Sequence, residues 1–236
     1  MNQQMHVPTL TLTNKVLIIV ATAFFLISAV LNTYAGVSFD SLFGLSLAGI
    51  MSAKIWQIIT FPFIQHGILG MVFNCLIVWF IGSELEARWG KSFYQKFLIL
   101  NALVVAGVYI IISYFFWGAS SQVPLVGFEC LCYALLIGYA LVYPDRYMTF
   151  MFLFPMKAMY FCLLLVAIEF YGTLVSPYAA SAWVHLVALG FSFLYLKYLS
   201  LGARGQGLGD VFKKKRKRPD LKIIKRDDEQ GPKYWH

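Results

Sequence analysis

The chain has 236 residues, of which 60% are hydrophobic and only 13% are charged, and its mean hydropathy is +0.70. A composition this apolar excludes a water-soluble globular domain and indicates an integral membrane protein. The formal net charge is +8. Most of it lies at the C-terminal end, where residues 201–236 carry eleven Lys and Arg against five Asp and Glu.

Six apolar runs are each close to the roughly 20 residues that a helix needs to cross a bilayer. They cover residues 15–33, 67–83, 97–117, 127–143, 157–175 and 182–200. The first run is too long for a removed signal peptide and lacks a small-residue cleavage site, so we keep it as a span. We therefore predict an all-α membrane protein in three parts. These are a cytoplasmic arm (1–14), a six-helix membrane domain (15–200) and a basic, mostly disordered cytoplasmic tail (201–236).

The charged residues in the connections predict the orientation. Charges follow the second and fourth runs and fill the tail, whereas the connections 118–126 and 172–181 carry none. Because positively charged connections stay on the cytoplasmic side, both termini are expected in the cytoplasm. We expect a multi-pass protein of a cell membrane, the bacterial inner membrane.

The connection after the first run, residues 34–66, is unusually apolar for an outer loop. Its two apolar pieces run from Phe39 to Met51 and from Ile55 to Ile64. We predict that it is embedded in the outer membrane interface as short amphipathic helices, with Trp56 at the level of the lipid headgroups.

Polar side chains inside apolar runs mark the candidate site, because an ionisable group in a bilayer needs a partner or water. Glu129 stands at the start of the fourth run, and we consider Asn74, Lys157, Glu169 and His185 as its partners. At 1.5 Å per residue, Asn74, Glu129 and His185 each lie within about two turns of the outer surface. We expect Glu129 and His185 to be within hydrogen-bonding reach, directly or through one water.

Several motifs in the first half of the chain resemble the rhomboid family of intramembrane serine proteases. They are the segment from Trp56 to Phe63, Asn74 on the second run, and the G-x-x-L-E-x-x-x-G pattern at residues 82–90. The match has substitutions at three family positions. Gln57 replaces an arginine, Gln65 replaces a first histidine, and Gly70 replaces the histidine four residues before Asn74.

The fourth run resembles the family helix that opens with G-x-S-G and continues into Y-A-L. Counting back from Tyr133, Gly127 falls on the first glycine, Glu129 on the nucleophilic serine and Cys130 on the second glycine. A rival alignment through residues 118–121 fits the letters better, but it leaves its serine in the preceding outer loop.

The sixth run resembles the family's A-H-x-x-G helix, and the resemblance as a whole covers about residues 50–200. His185 falls on the catalytic histidine. Ala188 and Ser192 fall where the family uses small residues that let the fourth and sixth helices approach.

The resemblance implies a six-helix rhomboid-like bundle that lacks the catalytic serine. In the family the serine attacks, the histidine is the general base, and the asparagine helps to stabilise the oxyanion. Here Glu129 occupies the nucleophile position, so that His185 and Asn74 stand beside a carboxylate. The other site positions, at which we expect client contacts, are Gly127, Cys130, Tyr133 and Trp56.

Three functions stay open from the sequence. The first is an inactive rhomboid-like protein that binds transmembrane clients through the lateral openings of the fold. The second is an active intramembrane endopeptidase with a divergent site; Cys130 is its candidate nucleophile, although it is rotated by about 100° from position 129. The third is a proton or ion pathway through Glu129, His185 and Glu169.

Each polar residue also has a purely structural interpretation, in which Asn74 and His185 only bond one helix to another. The cysteines have no spacing typical of zinc ligands, and we expect no metal and no other cofactor. Expected partners are transmembrane proteins and, at the basic tail, anionic lipids; no nucleic acid is expected.

Overall fold

The computed structural model describes residues 8–36, 38–117, 124–150, 154–175 and 179–202. This part of the chain is helical except for one short hairpin of two strands. Its α-helices are α1 Leu12–Val30, α2 Phe39–Phe43, α3 Leu47–Met51, α4 Gln57–Thr60, α5 Ile68–Ile77, α6 Ser83–Trp89, α7 Lys91–Trp117, α8 Glu129–Val142, α9 Ala158–Val175 and α10 Ala179–Gly202. The strands are β1 Tyr147–Phe150 and β2 Phe154–Lys157.

Two π-helical turns join helices into longer stretches. Leu31–Ala35 extends α1, and Val78–Gly82 connects α5 to α6. A 3₁₀ turn, Phe61–Phe63, follows α4. As a result, the second apolar run of the sequence is one continuous stretch that ends only at Trp89, within the predicted cytoplasmic connection.

Three of the described helical stretches are long and apolar enough to cross a membrane. They are Leu12–Tyr34, Ile68–Trp89 and Lys91–Phe115. The apolar parts of the other three predicted spans are shorter, namely Glu129–Val142, Ala158–Ile168 and Trp183–Leu199. The 14 residues of α8 rise only about 21 Å, against about 30 Å of hydrocarbon. The count of six spans therefore stays a prediction.

The predicted all-α class is confirmed for the described residues, to which the structure adds one short hairpin between α8 and α9. β1 and β2 pair antiparallel, with Tyr147 opposite Lys157 and Phe150 opposite Phe154. Lys157, expected at the start of a helix, ends β2 instead, and its ammonium lies 3.4 Å from the carboxylate of Asp145. The short connection allows this pairing, which satisfies backbone groups where the chain leaves the bundle.

The core of the bundle is α8, which packs against α5, α7, α9 and α10. Ten of its fourteen residues are buried, which explains why it is apolar on every face. Gly138 gives the Trp89 ring room, since a Cβ at position 138 would lie 2.7 Å from that ring. α8 is therefore the element on which the surrounding helices are placed.

The connection between the first two apolar runs, residues 34–66, is called the outer connection after its predicted side. It folds into short helices as predicted, and Gln57 holds them together. Its side chain is fully buried. Its Oε1 accepts from the Ser46 N–H at 3.2 Å, and its Nε2 donates to the carbonyls of Ser41 at 3.3 Å and Leu42 at 3.4 Å. Gln57 thus binds the backbone of this connection together, a role that the sequence analysis gave to no residue.

Replacing Gln57 with leucine is expected to destabilise this outer connection. The leucine fills a similar volume but leaves a buried N–H and two carbonyls without their partner, at about 1–3 kcal/mol per buried group. Hydrogen exchange of residues 38–63 in detergent measures the loss. The matched control is Ile59→Leu, at a side chain that is 70% exposed. Equal protection in the two variants would contradict the role given to Gln57.

The G-x-x-L-E-x-x-x-G pattern builds the opposite end of the bundle, where α1 begins. A Cβ at Gly82 would lie 2.6 Å from the Tyr94 hydroxyl, and Leu85 is fully buried. Glu86 is also buried, and Gly90 has φ +83° at the turn into α7. Gly82, Leu85 and Glu86 therefore have packing roles, and Gly90 provides the backbone angle of the turn.

The N-terminal segment attaches to this motif through a buried carboxylate. Glu86 accepts from the hydroxyl of Thr11 at 2.5 Å, the hydroxyl of Thr13 at 2.6 Å and the Asn14 amide at 3.4 Å. Asn14 in turn accepts from the Tyr94 hydroxyl at 2.6 Å. Residues 11–14, which the sequence assigned to a cytoplasmic arm, thus belong to the packed body.

The basic tail lies outside the described residues, apart from the end of α10, and its predicted disorder stays a prediction. Deleting residues 204–236 is expected to leave the membrane domain folded and to weaken its binding to anionic membranes, because the tail has too few apolar residues to bury a core. Thermal unfolding in detergent and vesicle co-sedimentation measure the two effects. A deletion variant that unfolds in detergent would contradict the expectation.

Candidate functional site

Glu129 and Asn74, predicted at one depth, do meet. Asn74 lies on α5 and is 6% exposed, while Glu129 is the first residue of α8 and is half-buried. The Asn74 amide nitrogen donates to Glu129 Oε1 at 3.4 Å. A carboxylate in the first turn of a helix is also stabilised by the helix dipole. The two residues that the sequence placed together therefore form a hydrogen-bonded pair.

Gln65 is the third member of this cluster. The same Asn74 nitrogen donates to Gln65 Oε1 at 3.1 Å. Because a carboxamide nitrogen carries two hydrogens, these two acceptors use both of them. Gln65 is 2% exposed, and its own Nε2 is buried without a hydrogen-bond partner. In the sequence Gln65 was only a substituted histidine, and nothing there indicated this contact.

The turn into α8 places the Glu129 carboxylate over Gly127. Gly127 has φ +138°, and a Cβ at that position would run into Glu129 Oε2. Its N–H donates to the Phe61 carbonyl at 3.3 Å, which ties the turn to the outer connection. The backbone angle therefore favours glycine at position 127, and a larger residue would also displace the end of the Glu129 side chain.

Cys130 and its neighbour Cys132 point into the packed interior. Cys130 is 2% exposed, and its thiol lies 3.3 Å from the Gly127 carbonyl. Cys132 is 1% exposed, and its thiol lies 3.8 Å from the Asn74 carbonyl. Both thiols thus act as small packing groups with weak hydrogen bonds to nearby carbonyls.

His185 reaches the cluster from α10 through Tyr133. The rings of Tyr133 and His185 meet edge to face, with centroids 5.2 Å apart and an angle of 73°. Tyr133 stands four residues after Glu129 and so lies on the same face of α8. The structure therefore brings His185 to the predicted face of α8.

Direct or water-mediated contact between His185 and Glu129 stays a prediction. If the two groups are in contact, Glu129→Gln should change the ¹⁵N chemical shifts of the His185 imidazole, because a hydrogen-bonded carboxylate determines which ring nitrogen carries the proton. Glu84→Gln, which removes a carboxylate at the other end of the bundle, serves as the control. Identical His185 spectra in both variants and the wild type would contradict the contact.

Of the remaining predicted positions, Gly70 and Trp56 lie at or near this end of the bundle. A Cβ at Gly70 would meet nothing within 4 Å, so the face of α5 one turn before Asn74 is open. Trp56 is 49% exposed and donates from its indole N–H to the Leu42 carbonyl at 3.1 Å, so that it braces the outer connection. Glu169 lies on α9, and its side chain is outside the described part of the chain. Lys157 is not a partner of Glu129, because it pairs with Asp145.

Asn101 was not singled out from the sequence, although it lies within the third apolar run. It is fully buried on α7, and its amide nitrogen donates to Ser192 Oγ at 2.5 Å and to the Ala188 carbonyl at 3.4 Å. The face of α10 that carries Ala188 and Ser192 therefore also contacts a polar side chain of α7. An asparagine among aliphatic residues was the feature of the sequence that could have indicated a buried polar contact.

The cluster can bind hydrogen-bonding groups, but Glu129, at the nucleophile position, is a poor nucleophile towards a peptide bond. The Glu129 carboxylate accepts hydrogen bonds and attacks amides poorly, and the Asn74 donors are occupied. Within the described ranges, no group of three or more His, Cys, Asp or Glu residues is placed to hold a metal ion.

Comparison with known proteins identifies the family. A family model described as "Eukaryotic integral membrane protein (DUF1751)" matches residues 15–214. "Rhomboid-like protein 19" of Arabidopsis thaliana is 24% identical over 151 residues, which are 61% of this chain and 48% of the relative. The chain thus spans about half the length of this curated relative. The eukaryotic description gives no support to the expectation of a bacterial membrane. The resemblance to rhomboids is confirmed, and the chain belongs to the rhomboid-like family of eukaryotic integral membrane proteins.

Proposed function

We propose that this protein is a catalytically inactive rhomboid-like protein that binds the transmembrane segments of client proteins. One observation carries the proposal: both N–H groups of Asn74, the residue at the oxyanion position, are used by Glu129 and Gln65. The family's nucleophile position holds the same Glu129, which takes up one of those donors. A site of this kind lacks a hydroxyl to attack a peptide, and the residue at its oxyanion position has no free N–H to stabilise the oxyanion.

The exposed apolar surface of α5 supports a binding role. Ile68 is 71% exposed, Leu69 is 69% exposed and Val72 is 44% exposed, all on the outer half of the helix. These side chains lie next to the polar cluster and would face the bilayer. A client helix that lay against them would pack on this apolar face of α5, beside the buried side chains of Gln65 and Asn74.

The proposed topology has six spans with both termini in the cytoplasm of a eukaryotic cell. The charges after the second and fourth apolar runs support it, because they favour the cytoplasmic side. α8 is too short to cross the hydrocarbon by itself. Because it lies at the centre of the bundle, the residues beyond its ends are surrounded by protein and do not face lipid.

A photocrosslinking experiment tests client binding. With a photoreactive residue at position 69, we expect crosslinks to membrane-spanning segments of other proteins. The control position is 99, on α7, whose Ile99 is 60% exposed and so equally open to lipid. Equal crosslinking from the two positions would show contact by chance and would reject the proposed binding face.

A cleavage assay tests the alternative of an active endopeptidase with a divergent site. We expect wild-type protein to leave a transmembrane reporter intact and to resist His185-dependent labelling by fluorophosphonate and thiol probes. The burial of Cys130 favours this outcome, since a reactive thiol needs access. Reporter cleavage that depends on His185 would overturn the proposed inactivity. Proton flux through proteoliposomes would instead support the pathway through Glu129.

A further inference from the structure

Two arginines meet one tyrosine ring at the end of the bundle where α1 begins. The guanidinium carbon of Arg88, in the last turn of α6, lies 5.5 Å from the centre of the Tyr143 ring. That of Arg146, just beyond the end of α8, lies 5.2 Å from the same centre. The two guanidinium carbons are therefore at most about 11 Å apart. Cation–π contact holds both without cancelling their charge.

The charges in this cluster do not balance. Arg146 pairs with Glu84, whose other oxygen accepts from the Tyr139 hydroxyl at 3.3 Å. Arg88 takes part in none of the ion pairs found among the described residues, and its Nε is buried without an acceptor. The neighbouring carboxylate, Glu86, is used on the other side by the N-terminal segment. Arg88 is thus a half-buried cation without a counter-ion, which is costly unless an anion joins it.

The cluster lies at the level where lipid headgroups are found. Arg88 is the next-to-last residue of the apolar stretch Ile68–Trp89, and Arg146 follows α8 by four residues. Trp89 and the rings of Tyr139 and Tyr143, 5.0 Å apart, surround it with the aromatic residues typical of a membrane boundary. A planar guanidinium fork matches the oxygens of a phosphate group.

We propose that Arg88 and Arg146, which both contact the ring of Tyr143, bind the phosphate of an anionic lipid headgroup at the cytoplasmic surface. The site is separate from the Glu129 cluster and from the basic tail, and it does not depend on client binding. It does depend on the proposed orientation, which places this end towards the leaflet that carries the anionic lipids. A bound headgroup supplies the counter-charge that Arg88 lacks.

Native mass spectrometry of the full-length protein in detergent tests the site, with phosphatidic acid as the probe and phosphatidylcholine as the zwitterionic control. We expect Arg88→Gln to weaken phosphatidic acid binding about tenfold, because a charge-assisted hydrogen bond is lost. Glu84→Gln should strengthen binding several-fold, since it frees Arg146 and removes a negative charge. This gain cannot come from misfolding. Lys96→Gln removes an exposed cation of α7 and should leave binding within about twofold of wild type. The tail is present in every variant, so that its contribution cancels.

Two results would overturn the proposal. The first is that the Arg88→Gln variant binds phosphatidic acid as well as the Lys96→Gln variant does. The second is that the Glu84→Gln variant binds it more weakly than wild type. Either result would show that the arginines do not form the binding site. Inorganic phosphate that displaces phosphatidic acid at equal concentration would identify a site for free anions and not for a lipid.

Discussion

The triple variant Glu129→Ser, Gly70→His, Cys130→Gly is expected to cleave a transmembrane reporter slowly, whereas Glu129→Ser alone stays inactive. Serine at position 129 restores the hydroxyl and frees one N–H of Asn74. Histidine at position 70 adds a donor on the same face of α5, where a Cβ would meet nothing within 4 Å. A single oxyanion donor contributes about 10²–10³ in rate, so the serine variant without it should fall below detection.

Two controls decide what such cleavage means. Adding His185→Ala to the triple variant should abolish it, because the serine then has no general base. The second control is the wild type with Glu129→Ala. If the wild type already cleaves the reporter and continues to do so with Glu129→Ala, the site has been assigned to the wrong residues.

The sequence alone was sufficient to predict the structure wherever a single physical requirement determines the conformation of one segment. Bilayer thickness selects apolar helices, and the three long stretches were predicted with ends that differ by one to six residues from the observed ones. The same reasoning brought Asn74 to Glu129, because two polar groups at one depth satisfy each other. Even the ends of α8 follow from local chemistry. Gly127, with positive φ, precedes the helix, and Pro144 disfavours the helical conformation of Tyr143.

The sequence was not sufficient where a residue's role depends on a distant partner. Asn101 bonds to Ser192, 91 positions along the chain, and the packing of α7 against α10 decides that contact. Gln57 was interpreted only as a missing arginine, although its amide satisfies three backbone groups of the outer connection. An amide both donates and accepts, whereas an arginine only donates, so the substitution changes which groups can be satisfied.

The same limit applied to the start of the chain. Thr11, Thr13 and Asn14 are short polar residues before an apolar run, which is also the composition of a solvated arm. Only the position of α6 beside α1 shows that they converge on Glu86. A carboxylate expected in a cytoplasmic connection is therefore one of the buried polar groups of the body.

Replacing Glu86 with leucine is expected to lower the free energy of unfolding by about 3 kcal/mol or more, because two short hydrogen bonds from Thr11 and Thr13 to its carboxylate are lost, each worth about 1.5–3 kcal/mol. Asn14, which is fully buried, keeps its bond from Tyr94 and still donates to the hydroxyls of Thr11 at 2.8 Å and Ser83 at 3.4 Å, so the two threonine hydroxyls are the donors that lose their acceptor. The N-terminal segment should detach first. Thermal unfolding in detergent measures the stability, and protease cleavage near residue 11 measures the detachment.

Glu84→Gln is the matched control for this change, since it removes a carboxylate two positions away on α6. Glu84 pairs with Arg146, whose side chain is 50% exposed, and an ion pair in contact with water contributes only about 0–1 kcal/mol. Glu86→Gln should fall between the two, because its amide oxygen still accepts from the threonine hydroxyls but without the charge. If Glu86→Leu is as stable as Glu84→Gln, then the hydroxyls of Thr11 and Thr13 are satisfied by water, and the segment before α1 is held by apolar packing alone.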